Sequence, residues 1–158
     1  MRIDEHVRVA AIVRNSQGDL LAVRHGAAEA AFWTCPGGLL NVGESLSYAL
    51  RRNVTFETGL QIRIGNVACL GEVTIARTGR RRIEVYFYAD VTNRSAEDAT
   101  AGRRIVKWLP IAQAQQDFLP SVVLAAIQNN LHGEYLVNMT DEQWALPAPR
   151  TGSRRIFR

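Results

Sequence analysis

Residues 45–60, SLSYALRRNVTFETGL, constrain the fold more than any other segment, because they read as one amphipathic helix that must pack against something. Ser45 suits the N-cap and Gly59 the position just past the last turn. At about 100° per residue, Leu46, Ala49, Leu50, Asn53, Phe56, Glu57 and Leu60 fall on one arc roughly 120° wide. Ser47, Arg51, Thr55 and Thr58 lie opposite, with Tyr48 and Arg52 towards the margins. Glu57 therefore sits among residues destined for the interior. An ionised carboxylate there costs several kcal/mol unless something offsets it. Escape to water near the helix end, an arginine partner, or a bound metal ion would each do so, and residue type alone leaves all three open.

The rest of the chain supplies a sheet for this helix. VRVAAIVRN (7–15), the turn SQGD and LLAVRHG (20–26) read as a hairpin of two strands. A long loop punctuated by glycine and proline follows at 27–44, with a short strand at 32–34; long loops inside compact domains are usually functional. Past the helix come a strand at 61–76, bent at Gly65 and Gly71, and a clear strand at 81–92. In the latter, Ile83, Val85 and Phe87 share one face, and Glu84 is expected to face solvent beside the neighbouring arginines. A polar loop at 93–102 leads to a strand at 103–111, halted by Pro110, and a helix at 121–133 ends on Gly133. The fold class is α/β in the broad sense (α+β): a mixed sheet with the first helix packed on it.

A chain of 158 residues is enough for one domain with a full core and leaves little room for a second. Residues 1–133 are assigned to that domain. Residues 134–158 pattern weakly and are read as a C-terminal extension, partly mobile, in which Trp144, Leu136 and Val137 are suited to docking. Two cysteines, Cys35 and Cys69, are too few for a disulfide framework and lack metal-ligand spacing, which suits a reducing compartment, most simply the cytoplasm. No apolar run approaches the length of a membrane span, and the charged N-terminus is unlike a secretory signal. Net charge is +4, with arginines clustered at 77–84, 102–107 and 149–158. Such clusters suit phosphate-bearing ligands, but no basic surface interleaved with aromatics is readable, so RNA is the least supported partner. A homodimer is the ordinary expectation for such a chain, and the sequence does not decide it.

From Gly38 the chain runs GLLNVGESLSYALRRNVTFETGL. Gly38, Glu44, Arg52, Val54, Glu57, Gly59 and Leu60 stand at the spacing of the Nudix box, GX5EX7REUXEEXGU, in which U is a bulky aliphatic residue. The preceding FWTCPGG is similar to the proline–glycine–glycine entry of such proteins, and the flanking strands with VKWLP extend the resemblance over roughly residues 6–132. The sequence thus resembles a Nudix domain. That implies an α/β/α sandwich, with a mixed central sheet between the box helix and a C-terminal helix.

The resemblance also implies chemistry. In Nudix proteins the box holds divalent cations, usually magnesium, that bridge a diphosphate and help to generate the attacking hydroxide. By resemblance, Glu57 and Glu44 are the carboxylates for Mg2+ or Mn2+, the Gly37 carbonyl is a further ligand, and Arg52 orients a box carboxylate. Asn53 and Phe56 stand where the family has glutamates, so the metal site is thinned and its binding weakened. A glutamate outside the box often acts as ligand or general base, and Glu97, beside Asp98 in the loop at 93–102, is the candidate. Gly38, Arg24 and Trp33 are the candidate substrate contacts, with Phe32 beside them; Trp33 suits stacking on a base, and Arg24 meeting a phosphate. The implied function is hydrolysis of a diphosphate linkage in a nucleoside diphosphate-linked substrate. The alternative is a catalytically silent or repurposed Nudix domain that binds a nucleotide or a related phosphorylated small molecule.

Overall fold

A computed structural model describes residues 3–26, 31–74, 78–92, 105–114, 127–130 and 132–140. The elements run β1 (Ile3–Val13), β2 (Leu20–His25), β3 (Phe32–Thr34), β4 (Gly37–Asn41), α1 (Leu46–Thr58), β5 (Ile62–Thr74), β6 (Arg81–Val91), β7 (Val106–Leu109), the single turn α2 (Ile111–Ala114) and β8 (Glu134–Thr140). A mixed five-stranded sheet has the order β4-β1-β6-β5-β8, and β3-β2-β7 form a smaller antiparallel sheet. In the large sheet β1 pairs antiparallel with β4 and parallel with β6, while β5 pairs antiparallel with β6 and parallel with β8. The fold is the mixed α+β arrangement expected, with α1 packed on β4, β1 and β5.

Two features depart from the expected strand plan. The first two strands do not form a hairpin ladder: β1 and β2 belong to different sheets, with an isolated bridge between Arg14 and Leu20 at their connection. Asn15 explains the sharp exit. Its Oδ1 accepts from the N–H groups of Gln17 and Asp19 at 3.0 and 2.8 Å, so a side chain does the work of a turn and lets β2 leave the plane. The second departure is β4, which lies within the stretch expected to be loop. Gly37 and Gly38 read as turn residues, yet they are strand residues whose missing side chains allow close packing. A Cβ on Gly37 would stand 2.1 Å from the Val9 carbonyl oxygen, and one on Gly38 would stand 2.3 Å from Asn53 Oδ1. Gly37→Ala is therefore expected to cost about 1–3 kcal/mol, as overpacking does. Urea unfolding of the two proteins measures the loss, and an unchanged midpoint would mean that β4 can shift away from β1.

Both faces of the large sheet are covered. Val9, Ala11 and Val13 of β1, with Val85 and Ala89 of β6, meet Ala49, Leu50 and Val54 of α1. The alternate residues Ala10, Ile12 and Tyr86 turn to the other face, where they pack with Leu20, Ala22, Cys35, Cys69 and Ile127. Of the helix expected at 121–133, Ile127 is buried there and its carbonyl accepts from Arg14 Nη2 at 3.0 Å; residues 115–126 lie outside the described set. The C-terminal extension begins with β8, added to the sheet alongside β5. Residues 141–158, Trp144 among them, lie outside the described residues.

Candidate functional site

Helix α1 begins and ends where local chemistry says it should. Ser45 Oγ accepts from the Tyr48 N–H at 3.2 Å, and Gly59, at φ +75, closes the helix by donating to the Thr55 carbonyl at 2.8 Å. The buried arc, however, is turned away from Phe56. Ala49, Leu50, Val54, Glu57 and Thr58 are buried, while Phe56 is 57% exposed. Thr58 is accommodated inside because its hydroxyl donates to the Val54 carbonyl at 2.7 Å and accepts from the Leu60 N–H at 3.1 Å. On the other flank Asn53 packs directly over Gly38.

Glu57 stays on the inner arc, 7% exposed, so it does not escape to water. Its Oε2 accepts from the Gly37 N–H at 2.9 Å, which ties the box helix to the start of β4. Arg8 of β1 lies on the opposite face of the sheet, beside Glu84. Burial lowers the basicity of Arg8, but Glu84 above all, then Tyr86, Glu57 and Cys35, outweigh burial and leave its pKa raised.

Glu44 and Arg52 come together as a clamp on the loop before the helix. Arg52 donates through Nε to Glu44 Oε1 and through Nη2 to Oε2, both at 2.7 Å, and Nη2 also reaches the Leu39 carbonyl at 3.1 Å. Asn41 adds its backbone N–H at 2.8 Å and its amide at 3.0 Å to the same carboxylate. The Arg52 hydrogen bonds, and after them those of Asn41, outweigh partial burial and bring the Glu44 carboxyl down to about 2. A folded-state pKa below the unfolded one contributes stability that is complete above the unfolded value and fades as pH falls through the folded one. The clamp should therefore hold at neutral pH and weaken between about pH 5 and pH 2. In Arg52→Ala the Glu44 carboxyl is expected to titrate back near the ordinary glutamate range, and acid unfolding should begin at higher pH. Carboxyl-carbon NMR titration reads both proteins; an unshifted Glu44 in the variant would assign the effect to Asn41 alone.

The remaining sequence candidates divide by location. Asn53 directs its amide nitrogen to the Ala49 and Leu39 carbonyls at 2.9 and 3.3 Å. Arg24 and Trp33 lie opposite each other on β2 and β3, in the smaller sheet. Trp33 is half-buried, with Lys107 Nζ 5.7 Å from its ring centroid, and His25 stacks on Phe32 while its Nε2 meets Thr34 Oγ1 at 2.9 Å. Glu97 and Asp98 lie outside the described residues.

Among the described residues no group of three or more His, Cys, Asp or Glu side chains is placed to hold a metal ion. Of the box carboxylates, Glu44 is engaged by Arg52 and Asn41, which leaves Glu57 as the one carboxylate on the helix's inner face. That donor set does not make a dedicated cage. It does fit magnesium as commonly held, by one or two carboxylates together with substrate phosphates and water. A carboxylate oxygen that accepts one N–H retains a lone pair for a cation.

One cluster was not foreseen. Glu84, expected at the surface, is wholly buried, because both faces of the sheet are covered and its face is the one shared with Tyr86. Arg82 Nε and Nη2 donate to its Oε1 at 3.1 and 2.8 Å, the Tyr86 hydroxyl donates to Oε2 at 2.6 Å, and Arg8 Nη1 stands 3.8 Å from Oε2. Arg8 Nη2 reaches the Cys35 carbonyl at 3.5 Å. Burial first, and Glu84 next, raise the Tyr86 hydroxyl; burial also pushes the Cys35 thiol up to about 12, against the pull of Arg8. The available signal was a side-chain period of two, which places Arg82, Glu84 and Tyr86 on one face.

With this geometry in view, the comparisons are specific. Residues 4–127 match the NUDIX domain family, and the chain belongs to it. No curated protein matches the chain. Among solved structures, a NUDIX hydrolase from Nitrosomonas europaea is similar at TM-score 0.66 and 21% identity, covering 82% of this chain and 93% of that one. A MutT protein from Methanosarcina mazei Go1 is 26% identical at TM-score 0.55, over 78% of this chain and 90% of that one. An ADP-ribose pyrophosphatase from Streptococcus suis is 13% identical at TM-score 0.58, over 82% and 97% of the respective chains. Members of the family generally act with divalent metal ions. No helix among the described residues is long and apolar enough to cross a membrane.

Proposed function

We propose that this chain hydrolyses a diphosphate linkage in a nucleoside diphosphate-linked small molecule, using a divalent cation that arrives with the substrate. The observation that carries the reading is the placement of Glu57, a buried carboxylate on the inner face of the box helix, fixed by the Gly37 N–H at 2.9 Å. Magnesium or manganese supplies charge neutralisation and an acidified water when bound. Glu57 is the residue that would hold it, with the Gly37 carbonyl as a further candidate ligand. Glu44 and Arg52 brace the loop that presents Gly37 and Gly38 rather than contacting the cation themselves. Arg24 and Trp33 remain the proposed contacts for phosphate and base, and Glu97 the proposed general base.

The test is turnover of a panel of nucleoside triphosphates, ADP-ribose and nucleotide sugars, with magnesium or manganese and with chelator. Cation-dependent product release from at least one of them is expected. A second reading, a silent domain that binds such a ligand without cleaving it, is favoured by one observation: Phe56, where the family has a glutamate, is exposed and brings no oxygen. Saturable binding of a panel member with no product at any cation concentration would establish that reading and remove the first. Cytoplasmic residence belongs to the same proposal, supported by the buried free thiols of Cys35 and Cys69.

A further inference from the structure

Phe56 serves neither the core of the box helix nor its clamp. It is 57% exposed, although it directly precedes Glu57, whose carboxylate holds the start of β4. Its neighbours fix its place. Arg52 and Asn53 both reach the Leu39 carbonyl, Asn53 also packs over Gly38, and Glu57 meets Gly37. Helix α1 therefore runs past β4 in the opposite direction. Phe56 lies about 40° round the helix from Arg52 and about 60° from Asn53, and so between them in direction, one turn beyond Arg52. That sets Phe56 at the level of Gly37, on the open flank of the helix, beside a strand that ends the large sheet. A second ring, Trp33, lies four residues before Gly37. It is half-buried and packs against the core on the other face of the same sheet. The chain from Trp33 to Gly37 spans at most about 14 Å. The two aromatics thus flank the sheet edge formed by Gly37 and Gly38, one on each side.

We propose that Phe56 is a specificity-determining contact that takes an aromatic ring at the far end of the diphosphate, which makes a dinucleotide the preferred substrate. One ring lies at Trp33, the diphosphate crosses the edge at Gly37 and Gly38, and the other ring stacks on Phe56. The inference rests on the reading of that edge as the diphosphate site and names the substrate class within it. A phenyl ring offers a phosphate nothing and excludes the water that a hydrated cation needs. What it can take is the face of another ring, and such stacking tolerates many bases. A nucleoside triphosphate or a nucleotide sugar has no second aromatic ring to place there.

The experiment compares reduced nicotinamide adenine dinucleotide with ADP-ribose, which lacks the nicotinamide ring. Binding to the full chain is read by calorimetry with chelator, where a cation-dependent enzyme is idle, and with magnesium beside initial rates. The dinucleotide is expected to be favoured about fivefold or more, in affinity or, where the probes bind only with the cation, in kcat/KM. Phe56→Ala truncates an exposed side chain and should melt close to wild type. In that variant the preference should fall to within about twofold, whereas Phe56→Tyr, which keeps the ring face, should retain it. Equal handling of the two probes by wild type, a preference that survives in Phe56→Ala, or neither binding nor turnover of either probe overturns the proposal. The hydrolase reading fails separately. Ring-dependent binding without product under any cation leaves Phe56 as a ligand contact in a silent domain. Turnover of nucleoside triphosphates or nucleotide sugars with no gain from a second ring keeps the enzyme and removes this inference.

Discussion

Glu57→Gln is expected to reduce cation-dependent turnover by about a hundredfold or more, because the charge that recruits a divalent ion is worth several kcal/mol of transition-state stabilisation. The substitution is nearly isosteric, and the glutamine carbonyl can still accept the Gly37 N–H that Glu57 Oε2 accepts at 2.9 Å. The helix should therefore keep its seat on β4, and the loss should appear in kcat rather than in melting temperature. Steady-state rates at saturating magnesium, beside a thermal melt, separate chemistry from folding. Turnover within a few fold of wild type would exclude Glu57 as the cation's ligand, and with it the mechanism proposed for the box.

The largest expected effect on stability is at Glu84→Gln. A wholly buried carboxylate there receives two bonds from Arg82 and one from the Tyr86 hydroxyl and faces Arg8. Removing its charge leaves the guanidinia of Arg82 and Arg8 beside a neutral amide, and breaking a buried ionic group in this way typically costs about 3–5 kcal/mol. For a chain of this length that corresponds to a fall in Tm of roughly 10 °C or more. Tyr86→Phe, which deletes only the 2.6 Å bond, should cost nearer 1–2 kcal/mol. The ratio of the two losses is the informative quantity. If Glu84→Gln is no worse than Tyr86→Phe, the arginines have found other partners and Glu84 is not the anchor of the cluster.

What the sequence made legible was local. The caps at Ser45 and Gly59 follow from the chemistry of helix ends, and the inward placement of Glu57 follows from a period of 3.6 residues. That Arg52 meets a box carboxylate came from the resemblance alone, and the structure shows that carboxylate to be Glu44. What stayed hidden was set between segments distant in the chain. Gly37 and Gly38 carry the same letters whether they make a turn or yield space to a neighbouring strand, and only the positions of Val9 and Asn53 decide which. Phe56 lies on the expected arc, but the helix's true orientation depends on how near it stands to β4. Glu84 has arginines beside it in sequence, which ordinarily signals a wet surface. Its burial depends on a second core built from β1, β2 and β5, and on Arg8 arriving from the first strand.

The strand order has a practical corollary. β8 joins the large sheet at the margin opposite β4, with β1, β6 and β5 between them. A fluorophore or surface linker attached at Thr140 would sit on the side remote from β4. Immobilised in that way, the protein can be presented to nucleotides with the β4 margin, the proposed site, towards the solution. A handle placed before Ile3 would crowd that margin, since β1 starts beside Asn41, at the end of β4.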